Sequence, residues 1–159
     1  MPIFFFTFVW AVDNIMYTKG LIMAQYEDCI IFLLAKAYQK AHGNFKQHLL
    51  PHGITPVQHL ILEALWDEEA LTATEIGKRM TLDNATLSGI LDRMSEKGWI
   101  VKATDDVDKR SIRIYLTGKA KKLKSSLLAK RKKSNKEILS NLSLEEKVLL
   151  KRLLKDIRE

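Results

Sequence analysis

The feature that most restricts this chain is the order of hydrophobic spacings between Leu71 and Leu116, where two short helical patterns precede two short extended ones. Thr72 and Glu75 form a capping box ahead of Ile76 and Met80, each side chain satisfying a backbone N–H that the first helical turn leaves unpaired. This predicts a short helix ending near Met80. After Thr81 and Leu82, Asp83 is placed to cap a second helix. Its Leu87, Ile90, Leu91 and Met94 share one face, and Gly98 suits the left-handed position that closes it. Trp99 to Lys102 and Ser111 to Leu116 then read as strands: Ile112, Ile114 and Leu116 alternate with Arg113 and Tyr115, and a charged loop from Ala103 to Arg110 joins the two. Helix, turn, helix and hairpin in this order make a DNA-docking unit.

Long helices flank it. Gln25 to Leu49 carries Ile30, Leu33, Leu34, Ala37 and Ala41 at helical spacing, with Ile31, Phe32 and Tyr38 widening the apolar surface beyond one face. A helix this wide needs a second cover, most simply another copy of the chain. Leu50 to Gly53 breaks it, and Thr55 with Gln58 opens the next helix with proline in its first position. Thr117 caps a Lys- and Arg-rich helix through about Ile138, and Ser143 with Glu146 starts a last one carrying Leu150, Leu153, Leu154 and Ile157. The predicted class is mainly α with a small β-hairpin wing. The expected organisation is an N-terminal extension over 1–23, a dimerisation helix over 24–53, a winged helix-turn-helix over 54–117 and C-terminal helices over 118–159 that complete the dimer, all in one intertwined domain.

The 26 basic residues outnumber the 19 acidic ones for a net charge of +7, which favours a polyanionic partner. A single cysteine, Cys29, excludes an internal disulfide framework and suits a reducing cytoplasm. The uncharged run from Pro2 to Val12 is about half of the ~20 residues that cross a bilayer and lacks a signal peptide's positive start. No membrane association is expected. The run reads either as a start placed upstream of Met16 or Met23, which is favoured, or as an apolar arm packed on the dimer.

With Leu87, Ile90, Leu91 and Met94 turned inward, the second short helix presents Ala85, Ser88, Gly89 and Asp92, with Asn84 and Thr86 on the flanks. Its first half is small, polar and uncharged, which lets a helix sit deep in a major groove and hydrogen-bond base edges. Lys102, Lys109, Arg110 and Arg113 put cations on the hairpin, within reach of phosphates or a minor groove. Asp108, two residues from Arg110, is placed to orient its guanidinium. The plainer alternatives are a solvated helix and a solvated turn.

From Ile54 to Leu116, and above all in LTATEIGKRMTLDNATLSGILDRMSEKGWIVKATDDVDKRSIRIYLT, the chain resembles the MarR family of regulators. The likeness lies in Leu82-Asp83 leading into Thr86-Leu87, in Leu91-Asp92-Arg93-Met94, and in Asp108-Lys109-Arg110 of the wing. It implies a mostly helical, triangular homodimer with its terminal helices at the interface and its winged units on successive major grooves of an operator duplex. By the same likeness Arg110 is similar to a wing-tip arginine that enters the minor groove, with Asp108 as its partner. Arg93 resembles an arginine that supports wing or backbone contacts, and Asn84, Thr86 and Ser88 occupy the base-reading part.

The family further implies a repressor released by a small aromatic or anionic ligand held between the dimer helices and the winged unit. Tyr38, His42 and His59 are candidates to line that cleft, against the simpler reading of core or surface side chains. Asp28-Cys29-Ile30-Ile31-Phe32 is a partial likeness to the peroxide-sensing branch, against the plainer reading of a buried cysteine. No metal-ligand spacing, nucleophile elbow or phosphate-cradling glycine loop is present, so neither cofactor nor catalysis is expected. An architectural protein binding DNA by charge alone is the remaining alternative. The basic run from Lys119 to Lys136 reads first as a solvated face.

Overall fold

The computed structural model describes residues 26–105 and 108–158, so the expected 1–23 extension lies outside the described residues. The chain divides into two compact units, Met1–Ala41 and His42–Glu159. Helix α1 (Ile30–Leu49) begins in the first and ends in the second. Tyr26 and Glu27 are helical as the spacing predicts, but the helix is interrupted at Asp28 and Cys29, where the Tyr26 carbonyl accepts the Cys29 N–H at 3.1 Å in a turn. The bonding of α1 itself begins with the Leu33 N–H on the Cys29 carbonyl. In the first unit Ile30, Ile31, Leu33, Leu34 and Tyr38 are all exposed, and Tyr26 meets Phe32 edge to face.

The second unit continues with a 3-10 turn (Leu50–His52), α2 (Pro56–Asp67), β1 (Leu71–Thr72), α3 (Ala73–Met80) and α4 (Asn84–Glu96). β2 (Ile100–Thr104), β3 (Ile112–Leu116), α5 (Gly118–Ile138) and α6 (Leu144–Arg158) complete it. The fold is mainly helical, with six helices and a small antiparallel sheet among the described residues. All three expected capping boxes form: Thr55 with Gln58, Thr72 with Glu75 and Ser143 with Glu146 exchange both bonds. Each fixes where a helix starts and turns otherwise unpaired N–H groups into bonds.

The expected hairpin is one edge of a three-stranded sheet in the order β1-β3-β2. Leu71 pairs with Ile114 and Thr72 with Arg113, so Thr72 serves both as the end of a strand and as the cap of α3. The wing therefore grows from a strand clamped on both sides. On β3 the alternation buries Ile114 and Leu116, but Ile112 lies beyond the core and is half exposed.

The core joins Leu49, Ile61, Leu62 and Leu65 to Ile76, to Leu87, Leu91 and Met94 of α4, to Ile100 and Ile114 of the sheet, and to Leu127 of α5. α3 and α4 approach closely at Gly77, where a Cβ would stand 3.3 Å from the Leu82 carbonyl oxygen and 3.4 Å from Leu87 Cδ2. Thr81 takes the left-handed conformation (φ 54°) that turns one helix into the next. Gly98 (φ 68°) ends α4 as expected. In α6, by contrast, no described side chain is buried. No helix among the described residues is long and apolar enough to cross a membrane.

Candidate nucleic-acid interface

Asp83 anchors the start of α4. Its carboxylate accepts the Thr86 N–H at 2.8 Å on one oxygen and the Thr86 hydroxyl at 2.7 Å on the other. These bonds, the hydroxyl's first, hold the Asp83 carboxyl below the usual carboxylate range. Because Leu87, Ile90, Leu91 and Met94 are buried, Asn84, Ala85, Thr86, Ser88, Asp92 and Arg93 stand exposed, the division that the helical angles predict.

Lys102 on β2 reaches across to this helix, its Nζ 2.6 Å from Asp92 Oδ1. The Lys102 bond and charge, with a smaller part from the Ser88 hydroxyl, lower the Asp92 pKa. Lys102, read from the sequence as a wing cation, thus ties the sheet to α4. The Arg93 guanidinium lies over Gly89, 3.6 Å from where a Cβ would stand.

The wing is ordered by carboxylates. Asp105, 5% exposed, pairs through Oδ2 with Arg113 Nε, and its Oδ1 accepts the Asp108 N–H at 3.0 Å. Arg113 Nη1 also donates to the Ala70 carbonyl at 2.9 Å. The Asp105 bond leads in raising the Arg113 pKa. Arg113, expected among the phosphate contacts, is therefore engaged at the base of the wing, because its strand position points it back toward the loop before β1. Asp108 uses its carboxylate on the Arg110 backbone N–H at 3.0 Å, and Lys109 and Arg110 are exposed at the tip. No local pattern marked Asp105 as the organising residue, since its partners come from both sides of the loop.

A cavity of about 340 Å³ opens beside α4, lined by His42, Lys46, Thr55, Val57, Gln58, Ile90, Thr86 and Arg93. Of the three ligand candidates, His42 borders it. Tyr38 is exposed on α1. His59 is wholly enclosed between Phe45 and Trp66, its Nε2 3.2 Å from the Leu127 carbonyl oxygen and its Nδ1 3.4 Å from Glu63 Oε1. Burial lowers the His59 pKa. Lys46 was not singled out by sequence, and Gln58 was read only as a helix cap. They lie on different helices and meet only through the fold. Cys29 is exposed at the start of α1, not buried as its plainer reading expects.

Residues 54–112 match the model of the MarR family. Over 97 residues the chain is 36% identical to the HTH-type transcriptional regulator TtmR of Methylorubrum extorquens, covering 61% of this chain and 48% of that protein. Over 91 residues it is 35% identical to the organic hydroperoxide resistance transcriptional regulator of Bacillus subtilis, covering 57% and 62%. The chain thus spans about half to two thirds of the length of these relatives. Its fold superposes on a mutant of Escherichia coli MarR complexed with operator DNA with a TM-score of 0.74 and 26% identity, covering 79% of this chain and 90% of that one. Residues 54–112 of this chain thus match the MarR family of winged helix-turn-helix transcriptional regulators, and the motif order and the fold agree with that match.

Proposed function

We propose that the chain acts as a homodimeric, sequence-specific DNA-binding repressor that a small anionic or aromatic effector releases. The observation that carries the DNA reading is α4 itself: its apolar side is consumed by the core, and its other side offers small neutral groups next to a wing tipped by Lys109 and Arg110. Small side chains at the N-terminal half let the helix seat deeply in a major groove, and the wing-tip cations reach the phosphates or the adjacent minor groove. Asn84, Thr86 and Ser88 meet base edges, Ala85 lets the backbone approach, and Arg93 steadies the helix at its far end. The operator complex of the Escherichia coli relative supports this arrangement.

Two exposed apolar faces support the second copy. Ile30, Ile31, Leu33, Leu34 and Tyr38 on α1, and Leu144, Val148, Leu149, Leu153, Leu154 and Ile157 on α6, are large apolar side chains left exposed together, the kind of surface that marks an interaction site. The cavity beside α4 supports the effector, because Lys46, His42 and Arg93 supply positive or polar groups above the apolar Val57 and Ile90. An occupant would touch Thr86 and Arg93 directly, and so would favour one setting of the reading helix over another.

Arg110→Ala tests the wing. Duplex affinity measured across a salt series should fall, and the slope of log K against log salt should shrink by about 1 while the dimer persists in sedimentation. Unchanged affinity and slope would remove Arg110 from the interface. A specific site should hold about a thousandfold preference over random duplex at physiological salt, and a protein binding by charge alone would show none.

A further inference from the structure

We propose that the hydroxyl of Thr86 is held as a pure hydrogen-bond acceptor, so that α4 selects adenine or cytosine, and rejects guanine or thymine, on the strand it faces. This rests on α4 being the base-contacting helix.

A hydroxyl carries one proton and two lone pairs, so on its own it pairs with base donors and base acceptors alike. That ambivalence is removed here. The Asp83 carboxylate has no proton to give, and the Thr86 hydroxyl lies 2.7 Å from its Oδ2, so the proton between them belongs to Thr86. The second Asp83 oxygen takes the Thr86 N–H at 2.8 Å, which fixes the carboxylate plane and with it the direction of the hydroxyl bond. The lowered Asp83 pKa keeps this carboxylate ionised at neutral pH. That proton is spent inside the protein, and only lone pairs of the Thr86 hydroxyl are left for the groove.

The major-groove edges of the bases then divide into two classes. Adenine N6 and cytosine N4 are amino donors, whereas guanine presents O6 and N7 and thymine presents O4, all acceptors. Every base pair carries one amino group in this groove, so the choice is one of strand: an amino base opposite the hydroxyl makes a bond, and a keto base sets acceptor against acceptor. A discrimination on the order of tenfold at that position is expected. Asn84, with both donors and an acceptor, has no such restriction. Asp83 is thus a positioning residue that acts on the base through Thr86.

The test is selection from a random duplex library with the full chain, its Thr86→Val variant and its Asp83→Asn variant. Valine keeps the shape of threonine without the oxygen, and the position whose base frequencies change identifies the pair that Thr86 faces. In the wild-type chain that position should favour amino bases on one strand by on the order of tenfold, and Thr86→Val should abolish the preference. Asparagine remains a good N-cap, but its amide can donate to the Thr86 oxygen and release the hydroxyl proton toward the groove, so Asp83→Asn should turn the preference toward keto bases. A merely structural role for Asp83 would weaken all sites without exchanging the two base classes. Enriched sites with unchanged frequencies in Thr86→Val, or a keto base at that position in the wild type, overturn the inference alone. A chain that enriches no sequence removes the reading of α4 and this inference with it.

Discussion

Helices α4 and α6 carry apolar stripes of similar width, and the chain treats them in opposite ways. In α4, Leu87, Leu91 and Met94 are 0–2% exposed and Ile90 6%, whereas in α6 Leu153, Leu154 and Ile157 are 43–65% exposed. The spacing of apolar residues announces a buried face in both cases but does not say which surface covers it. For α4 the cover is α2, α3 and the sheet of the same chain, which leaves the polar side free to meet a ligand. For α6 nothing in the described chain supplies it, which is why a second copy belongs in the functional reading.

The contrast is broken most severely by paired truncations. Leu91→Ala should cost about 2–5 kcal/mol in urea unfolding, because it opens a cavity in a closed core. Leu153→Ala should cost under ~0.5 kcal/mol in a chain kept monomeric by dilution, as for an exposed site. Leu153→Asp should instead dissociate the dimer in sedimentation, since a charge would be buried without a partner. A dimer indifferent to that aspartate would place α6 outside the interface.

A smaller effect separates the two regions by pH. His59 sits inside the core of α2 and α5 with its pKa lowered by burial, so the unfolded chain takes up a proton before the folded one does. Its contribution is therefore present above the unfolded value of about 6.5 and is lost as pH falls from there toward the folded value. Denaturant midpoints should decline over that interval, and His59→Phe should flatten this part of the decline. A profile identical in both proteins would dissociate His59 from it. The smallest expected effect is at Ala70, held in the left-handed region (φ 66°) while its carbonyl accepts from Arg113. Ala70→Gly should raise stability by up to about 1 kcal/mol in thermal unfolding, unless the glycine's greater chain entropy cancels the relief.

Local chemistry made most of the fold legible. Thr55, Thr72, Asp83, Thr117 and Ser143 mark helix starts because a cap and its bond lie within four residues of each other. β1 escaped because two residues carry no period, and their identity as a strand comes from Ile114 and Arg113 more than forty positions away. Arg113 and Lys102 were read by charge alone, and charge does not reveal that Asp105 and Asp92 wait on facing elements. His59 shows the converse: its residue type suggested a ligand contact, and packing enclosed it.

Gly77 gives the docking unit a fulcrum. One added methyl there would stand 3.3 Å from the Leu82 carbonyl oxygen, so the backbone that leads into α4 would have to give by a few tenths of an ångström. A thirteen-residue helix is a lever of about 20 Å, so any tilt taken up at its near end is magnified at Arg93 and Glu96. The tilt of this rod against the core is thereby tied to the absence of a single carbon atom.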